Sequence, residues 1–258
     1  MKASVLITNY NYEKYIAACL ESLRLQTFKD FEIIFFDDNS TDNSILEVKK
    51  FNNIKLIENK IRSDFGSLNQ MNGYKQAFDM SNGKYIFTLD SDDFYDPKKI
   101  EKVINEFDKS NSNIIFDMPT VFTNEKKYKM TKRNNFLNLK RFKFFPQQSC
   151  LAFKREIFND MYNKILIDNY PNVWFDFRVA NYADYILGGY KIYNSYLTFY
   201  RNTDKNISSK FKKYSRHWWS RRLEYHKYVN EFLEKNNLMY NKYNFDYILT
   251  NVFNKILS

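Results

Sequence analysis

Cysteine, histidine and glycine are scarce in this 258-residue chain, which has two, two and five of them. Cys19 and Cys150 cannot make a disulfide framework, and both lie in apolar contexts that suit buried thiols in a reducing compartment. With His217 and His226 the only imidazoles, a zinc site of ordinary ligand type is not expected. No apolar run approaches the ~18 residues of a membrane-spanning helix. The start, Met1 to Tyr10, turns polar too soon for a secretion signal, so a soluble cytoplasmic protein is expected. The first apolar run is followed by neither a Gly-x-Gly-x-x-Gly fingerprint nor a Walker loop, which argues against a dinucleotide cofactor and a P-loop NTPase. Internal repeats and long Gly/Ser linkers are missing too, so no independent second domain is expected.

The length suffices for one large α/β domain, or one domain with an appendage. The net charge of +10 is unevenly spread: residues 1–118 carry 15 Lys and Arg against 19 Asp and Glu, and residues 119–258 carry 25 against 11. The basic half either faces an anionic partner or uses scattered lysines to keep an aromatic-rich chain in solution.

One stretch organises the rest. An apolar run from Tyr85 to Leu89 fits a buried strand and ends in acid, Asp90-Ser91-Asp92-Asp93. On a strand, side chains alternate, so Asp90 and Asp92 would point the same way. Adjacent carboxylates repel, and a hard divalent cation bridging to phosphate oxygens is their natural partner. The other reading is that Asp92, Asp93 and Asp96 cap the next helix, where Pro97 at the first helical position is followed by Ile100, Val103, Ile104 and Phe107 at helical spacing. Capping accounts for Asp96 and leaves Asp90 unexplained.

Along the chain, Ala3–Thr8, Phe31–Phe36 and Ile54–Ile57 read as further strands. They are separated by helical patterns over Tyr15–Leu23, Ile45–Val48 and Leu68–Met80. Such alternation implies a mostly parallel sheet covered on both faces, with ligands beyond the carboxyl ends of its strands. Thr8, Asp37-Asp38 and Asp90-Asp92 should then meet in one crevice. Asn113–Phe116 and Ser149–Phe153 read as strands, with helices from Glu156 to Tyr162 and from Asn172 to Leu187. A strand pair or single strand covers Tyr190–Tyr200. Residues 119–148, strongly basic, read as an irregular excursion over the site. From Tyr214 the pattern is helical to the end, with an apolar stripe of Trp218, Leu223, Tyr225, Val229 and Phe232.

Four segments together carry a family resemblance: Ser-Val-Leu-Ile-Thr-Asn-Tyr-Asn from Ser4, Leu-Arg-Leu-Gln-Thr-Phe-Lys-Asp-Phe-Glu-Ile-Ile from Leu23, Asp-Asp-Asn-Ser-Thr-Asp from Asp37, and Gly-Lys-Tyr-Ile-Phe-Thr-Leu-Asp-Ser-Asp-Asp from Gly83. In order and spacing the chain resembles the inverting glycosyltransferases of family 2, over about Val5 to Arg201. The resemblance implies an α/β GT-A fold: a single mostly parallel Rossmann-like sheet flanked by helices, with a helical C-terminal extension. The transferase domain would cover 1–205, with a nucleotide-sugar half to about 118 and an acceptor half beyond it. Residues 206–258 would form the extension.

Carried over, the resemblance implies that Thr8 and Tyr10 line the nucleotide pocket. One of Asp37 and Asp38, with Asp38 the first choice, would accept a hydrogen bond from the base or ribose, and UDP is the leading nucleotide. Asp90-Ser91-Asp92 stands at the DXD position: Asp92 would bind Mn²⁺ or Mg²⁺ directly, and Asp90 the ribose or metal-bound water. Asp93 would orient its neighbours. Asp176, in Trp174-Phe175-Asp176, would be the base, and Trp174 would pack against an acceptor sugar or against the core, the core being the first choice. Arg62, with Asp64 and Ser67, is assigned to the donor side, and Arg201 and Lys205 to the diphosphate, Arg201 alternatively being structural. The implied partners are a nucleotide-sugar donor and a glycan or lipid-linked acceptor of bacterial surface-glycan synthesis.

Two other classes compete. A basic nucleic-acid-binding protein would use the second half and its aromatics, but no recognisable nucleic-acid motif is present, and none is expected to bind. A nucleotidyltransferase would share the α/β sheet and metal-binding acids, but the chain lacks a glycine-rich N-terminal loop. The segment Lys212–Arg222 mixes base with tryptophan and suits peripheral contact with an anionic membrane, packing on the domain or a dimer contact.

Overall fold

Unbroken apolar runs with few charges pack as strands buried on both faces, and three such runs lie side by side at the centre of this protein. The computed structural model describes residues 1–123, 126–131, 142–202 and 211–257. In chain order the strands are β1 (Ala3–Asn9), β2 (Phe31–Asp37), β3 (Ile54–Glu58), β4 (Tyr85–Asp90), β5 (Phe94–Tyr95), β6 (Ile114–Phe122), β7 (Lys127–Lys129), β8 (Leu151–Lys154) and β9 (Lys191–Arg201). The helices are α1 (Glu13–Arg24), α2 (Ser44–Val48), α3 (Gly66–Asp79), α4 (Lys99–Lys109), α5 (Phe158–Ile165), α6 (Phe175–Ile186), α7 (Arg216–Lys235) and α8 (Phe245–Ile256).

The nine strands of the described residues form one sheet in the order β3-β2-β1-β4-β8-β6-β9-β5, with β7 on β6. The first half is parallel: β1 pairs with β2 and β4, and β2 with β3. Beyond β4 the sheet is mixed, because β8 runs antiparallel to both β4 and β6 while β9 is parallel to β6. The alternation of β1 divides the core into two layers. Val5 and Ile7 join α1 and α4 on one face, and Leu6 joins α3, α5, α6 and α7 on the other. Gly73 lets α3 lie close to the sheet, since a Cβ there would stand 2.6 Å from the Phe36 ring and 3.2 Å from Thr8.

Several expectations are revised. Pro97 precedes its helix by two residues, and the Asp96 carboxylate accepts the Lys98 N–H at 2.9 Å in the turn before it. The described part of 119–148 is not wholly irregular, because β6 runs on to Phe122 and pairs with β7. The C-terminal helix is two helices. Asn237 adopts φ +55°, and the N–H groups of Leu238 and Asn237 return to the carbonyls of Leu233 and Glu234, the left-handed cap that ends α7. Trp219, rather than Trp218, is on the buried side of α7 and stacks on Phe253 of α8 at 4.6 Å. Cys19 and Cys150 are both buried and free.

A buried charge node ties the mixed half together. Lys99 Nζ lies 2.8 Å from the Asp117 carboxylate with both side chains fully buried. It also donates to the Ser149 carbonyl and to Thr198 Oγ1, each at 2.6 Å. Removing one member of such a pair strands the other charge in low dielectric, which costs about 3–5 kcal/mol. Lys99→Met should therefore lose about that much in a denaturant unfolding titration, and Lys99→Met with Asp117→Leu should recover part of it.

Candidate active site

Parallel register brings the ends of β1, β2 and β4 to one edge. Thr8 stands opposite Asp90, and Asn9 opposite Asp37. Over this edge opens a cavity of about 490 Å³, lined on the sheet side by Thr8, Tyr10, Asp38, Arg62, Asp90, Ser91 and Asp92, and on the far side by Gln147, Gln148, Trp174, Asp176, Tyr200 and Arg221.

One end is built on Asp38. Its carboxylate accepts from Asn59 Nδ2 at 2.9 Å and pairs with Arg62 Nε at 2.8 Å. Burial raises the Asp38 carboxyl above its ordinary range, and the two partners pull it back. The Arg62 guanidinium lies 3.6 Å from the centre of the Tyr10 ring, a stack that leaves Tyr10 37% exposed at the cavity mouth. Asp37 does not line the cavity. It is buried and spends its oxygens on the Ser40 N–H (2.8 Å), Ser40 Oγ (2.7 Å) and Asn9 Nδ2 (2.8 Å), closing the turn after β2.

The centre is acidic. β4 ends at Asp90, so Asp92 faces the cavity from the following turn and not by strand alternation. Asp90 Oδ1 lies 3.1 Å from Gln70 Nε2, 3.3 Å from the Tyr74 hydroxyl and 3.4 Å from Thr8 Oγ1, all uncharged partners. Ser91 points into the scaffold and donates to Asn9 Oδ1 at 2.6 Å. Asp93 is buried behind the pair, accepting from Ser149 Oγ at 2.6 Å and the Arg201 N–H at 2.8 Å. Burial and the neighbouring carboxylates push Asp90 up to about 8, and burial pushes Asp92 up to about 6. Asp93 lies well above the ordinary range for the same reasons.

The far wall is set by α6. Arg178, fully buried, donates to the carbonyls of Ile165, Ile167, Tyr170 and Val173 and so fixes the loop that enters the helix. Asp176 sits in the first turn, with Oδ1 accepting its neighbour's N–H from Phe177 at 2.8 Å. Burial lifts it to about 6, against the pull of that N–H and of Arg221. Trp174 lines the cavity instead of the core, with its ring 3.2 Å from where a Cβ on Gly66 would lie.

The remaining assigned residues are elsewhere. Arg201 is outside the cavity lining, its guanidinium between the rings of Tyr15 (5.1 Å) and Phe94 (4.9 Å), where its charge lowers the Asp92 carboxyl. Ser67 is buried and donates to the Pro171 carbonyl, and Asp64 is exposed outside the lining. Lys205 lies outside the described residues. Gln70, Gln147, Gln148 and Arg221 were not picked out in the sequence. Gln147-Gln148 falls in the irregular stretch before β8, and Arg221 is 45 residues beyond Asp176 in a helix that periodicity alone cannot dock.

A divalent cation suits the acidic centre. Asp92 accepts no hydrogen bond from another side chain among the described residues, and Asp90 has only neutral donors, so the pair is short of positive charge. Among the described residues no three His, Cys, Asp or Glu side chains could hold a metal unaided. Two carboxylates completed by substrate phosphates are the usual arrangement for Mg²⁺.

Residues 4–180 match the family model described as glycosyl transferase family 2. The chain belongs to that family. It is 27% identical over 214 residues to an uncharacterized glycosyltransferase of Nostoc, covering 78% of this chain and 65% of that one, so it spans just under two thirds of that relative's length. WfgD of Escherichia coli, a UDP-Glc:α-D-GlcNAc-diphosphoundecaprenol β-1,3-glucosyltransferase, is 30% identical over 123 residues, or 47% of each chain. The crystal structure of Staphylococcus aureus TarS residues 1–349 with UDP-GlcNAc matches with a TM-score of 0.65 at 17% identity, covering all of this chain and 71% of that one. That likeness shows the GT-A fold.

The raised carboxyls have a consequence for stability. A carboxyl whose folded pKa is raised contributes stability that is full below its unfolded value and is lost as pH rises through the folded one. For Asp92 that loss runs from the ordinary value of 3.8 up to about 6, and for Asp90 from 3.8 up to about 8. Metal-free protein should therefore melt lower at about pH 8.5 than at about pH 5.5. Asp92→Asn should raise the melting temperature at the higher pH by a few degrees, as scanning calorimetry would record; an unchanged melting temperature would refute the unpaired-charge account.

Proposed function

We propose that the protein transfers a sugar, with inversion, from a UDP-sugar to a hydroxyl of a glycan or lipid-linked acceptor in bacterial surface-polysaccharide synthesis. The observation that carries this reading is one cavity with the Asp90–Asp92 pair on one wall and Asp176 on the other, in a chain of glycosyl transferase family 2. The UDP choice is supported by the carboxylate of Asp38 at the Tyr10 end, an acceptor for a uracil imide N–H, and by the donors named for WfgD and TarS.

Tyr10 and Arg62 offer a stacked surface to the base, and Asp38 an acceptor beside it. Asp90 and Asp92 would hold Mn²⁺ or Mg²⁺, which when bound supplies Lewis-acid neutralisation of the departing diphosphate. Asp176 is the base. With Oδ1 held by Phe177, Oδ2 takes the acceptor hydroxyl proton as that oxygen bonds to the anomeric carbon. The bond from that carbon to the phosphate oxygen breaks, and its electron pair leaves on UDP. A base whose carboxyl titrates near 6 is ionised at neutral pH and more basic than an exposed aspartate.

Peripheral contact with an anionic membrane is part of the proposal. Helix α8 turns Asp246 and Thr250 inward, toward Arg222 and His226, while Phe245, Ile248, Val252 and Ile256 are 59, 49, 47 and 70% exposed. Residues 211–257 carry nine Lys and Arg against four Asp and Glu. A second copy meeting this face symmetrically would bring two like charges together, whereas an anionic leaflet attracts it. Among the described residues no helix is long and apolar enough to cross a membrane.

Calorimetric titration of UDP with Mn²⁺ tests the transfer reading, with GDP and CDP as controls. Wild type and Asp176→Asn should bind UDP alike and only with metal, Asp92→Ala should not bind, and Asp176→Asn should lose about 10²–10⁴-fold in UDP-sugar turnover. Preferred binding of GDP or CDP would overturn the donor assignment. For the membrane contact, the protein should co-sediment with phosphatidylcholine vesicles containing about 30% phosphatidylglycerol and not with phosphatidylcholine alone. Ile248→Glu with Val252→Glu should abolish this; co-sedimentation that survives the pair would exclude α8 as the contact.

A further inference from the structure

The far wall of the cavity holds polar groups that the transfer chemistry does not use. Gln148 is only 5% exposed, yet neither its Nε2 nor its Oε1 has a hydrogen-bond partner, and the Oε1 of Gln147 is also unmet. The buried Nε of Arg221 has none either; the guanidinium meets the Tyr225 hydroxyl and forms no ion pair among the described residues. Neighbouring charges are committed: Arg222 to Asp246, and Glu224 to the backbone and side chain of Asn172. Buried polar atoms without partners cost stability and are rare, and three side chains of this kind on one cavity wall need a common reason.

The geometry suits a ligand. Phe211 and Tyr225 lie 4.5 and 5.1 Å from the Arg221 guanidinium and hold it in place. Arg201 is the cation that acts on Asp92, and Arg221 the one that acts on Asp176, so Arg221 stands on the side where the acceptor enters. An amide offers a donor and an acceptor to a sugar hydroxyl, and a guanidinium offers two parallel N–H groups to an anion. Arg221 also lies beyond residues 4–180, the part that matches the family.

We propose that Gln147, Gln148 and Arg221 form an acceptor subsite for a glycan that carries an anionic group, a phosphate or a carboxylate, beside its accepting hydroxyl. Gln147 and Gln148 hold the sugar ring and Arg221 the anion. This subsite rests on the transferase reading above.

Ligand-observed NMR titrations with UDP and Mn²⁺ present would test it, using glucose 1-phosphate, methyl glucuronoside and uncharged methyl glucoside as probes. At least one anionic probe should bind wild type about tenfold more tightly than methyl glucoside, the scale of a charge-assisted hydrogen bond. Arg221→Ala should erase that preference and Arg221→Lys keep part of it. Gln148→Ala should weaken all three probes alike, and UDP affinity should hold in every variant. Wild type with no preference for an anion would overturn the subsite, as would loss of UDP affinity in Arg221→Ala, which puts the arginine on the donor diphosphate. Wild type that binds no nucleotide would instead fail the transferase reading; an Arg221-dependent anion preference measured without UDP would then still support the subsite.

Discussion

Four carboxylates, from Asp90, Asp92, Asp93 and Asp176, share one low-dielectric region of this protein, and their mutual repulsion is the constraint that its surroundings answer. Asp93 is met by Ser149 and the Arg201 backbone, Asp90 by three neutral donors, and Asp176 by its own helix N-terminus. None of these partners carries a full positive charge to the Asp90–Asp92 pair. The scaffold thus tolerates an electrostatic debt that a cation and a diphosphate are suited to cancel.

That tolerance depends on rigidity at a distance. Ser149, which bonds Asp93 and receives the Asp90 N–H, has its own carbonyl fixed by the buried Lys99. Lys99 in turn is anchored by Asp117 on β6 and Thr198 on β9. The mixed half of the sheet therefore braces the acidic end of the parallel half. Arg178 serves the opposite wall in the same way, gathering four loop carbonyls so that Asp176 and Trp174 face inward.

The C-terminal helices are more than an appendage to this arrangement. Tyr228, Val229, Phe232 and Leu233 of α7 belong to the same core layer as α3, α5 and α6. Docking α7 there carries Arg221 to the cavity, 221 residues into a chain whose family match ends at 180. Helix α8 departs from a core helix, turning Asp246 and Thr250 inward while Phe245, Ile248, Val252 and Ile256 face outward.

Much of this was legible in the residues. The apolar runs at Ala3–Thr8, Phe31–Phe36 and Tyr85–Leu89 read as buried strands because each is short, rich in β-branched and aromatic residues and bounded by polar turns, all local properties of a sequence. Acid placed at the ends of such runs is bound to meet at one sheet edge once the strands are parallel, so the residues alone group Thr8, Asp37-Asp38, Asp90 and Asp92. Adjacent residues were harder to separate. Asp37 and Asp38 differ in role only because one closes a turn and the other faces the cavity, and Trp218 and Trp219 differ by which lies under Phe253. The two-residue delay of α4 after Pro97 and the break at Asn237 are set by specific backbone hydrogen bonds that composition does not reveal. What the sequence determined alone was the principal strands, the acidic edge and the family; what only the tertiary structure decided was the short strands β5 and β7 and the far wall, where Gln147, Gln148, Trp174 and Arg221 meet because packing between distant segments, and no local pattern, brings them together.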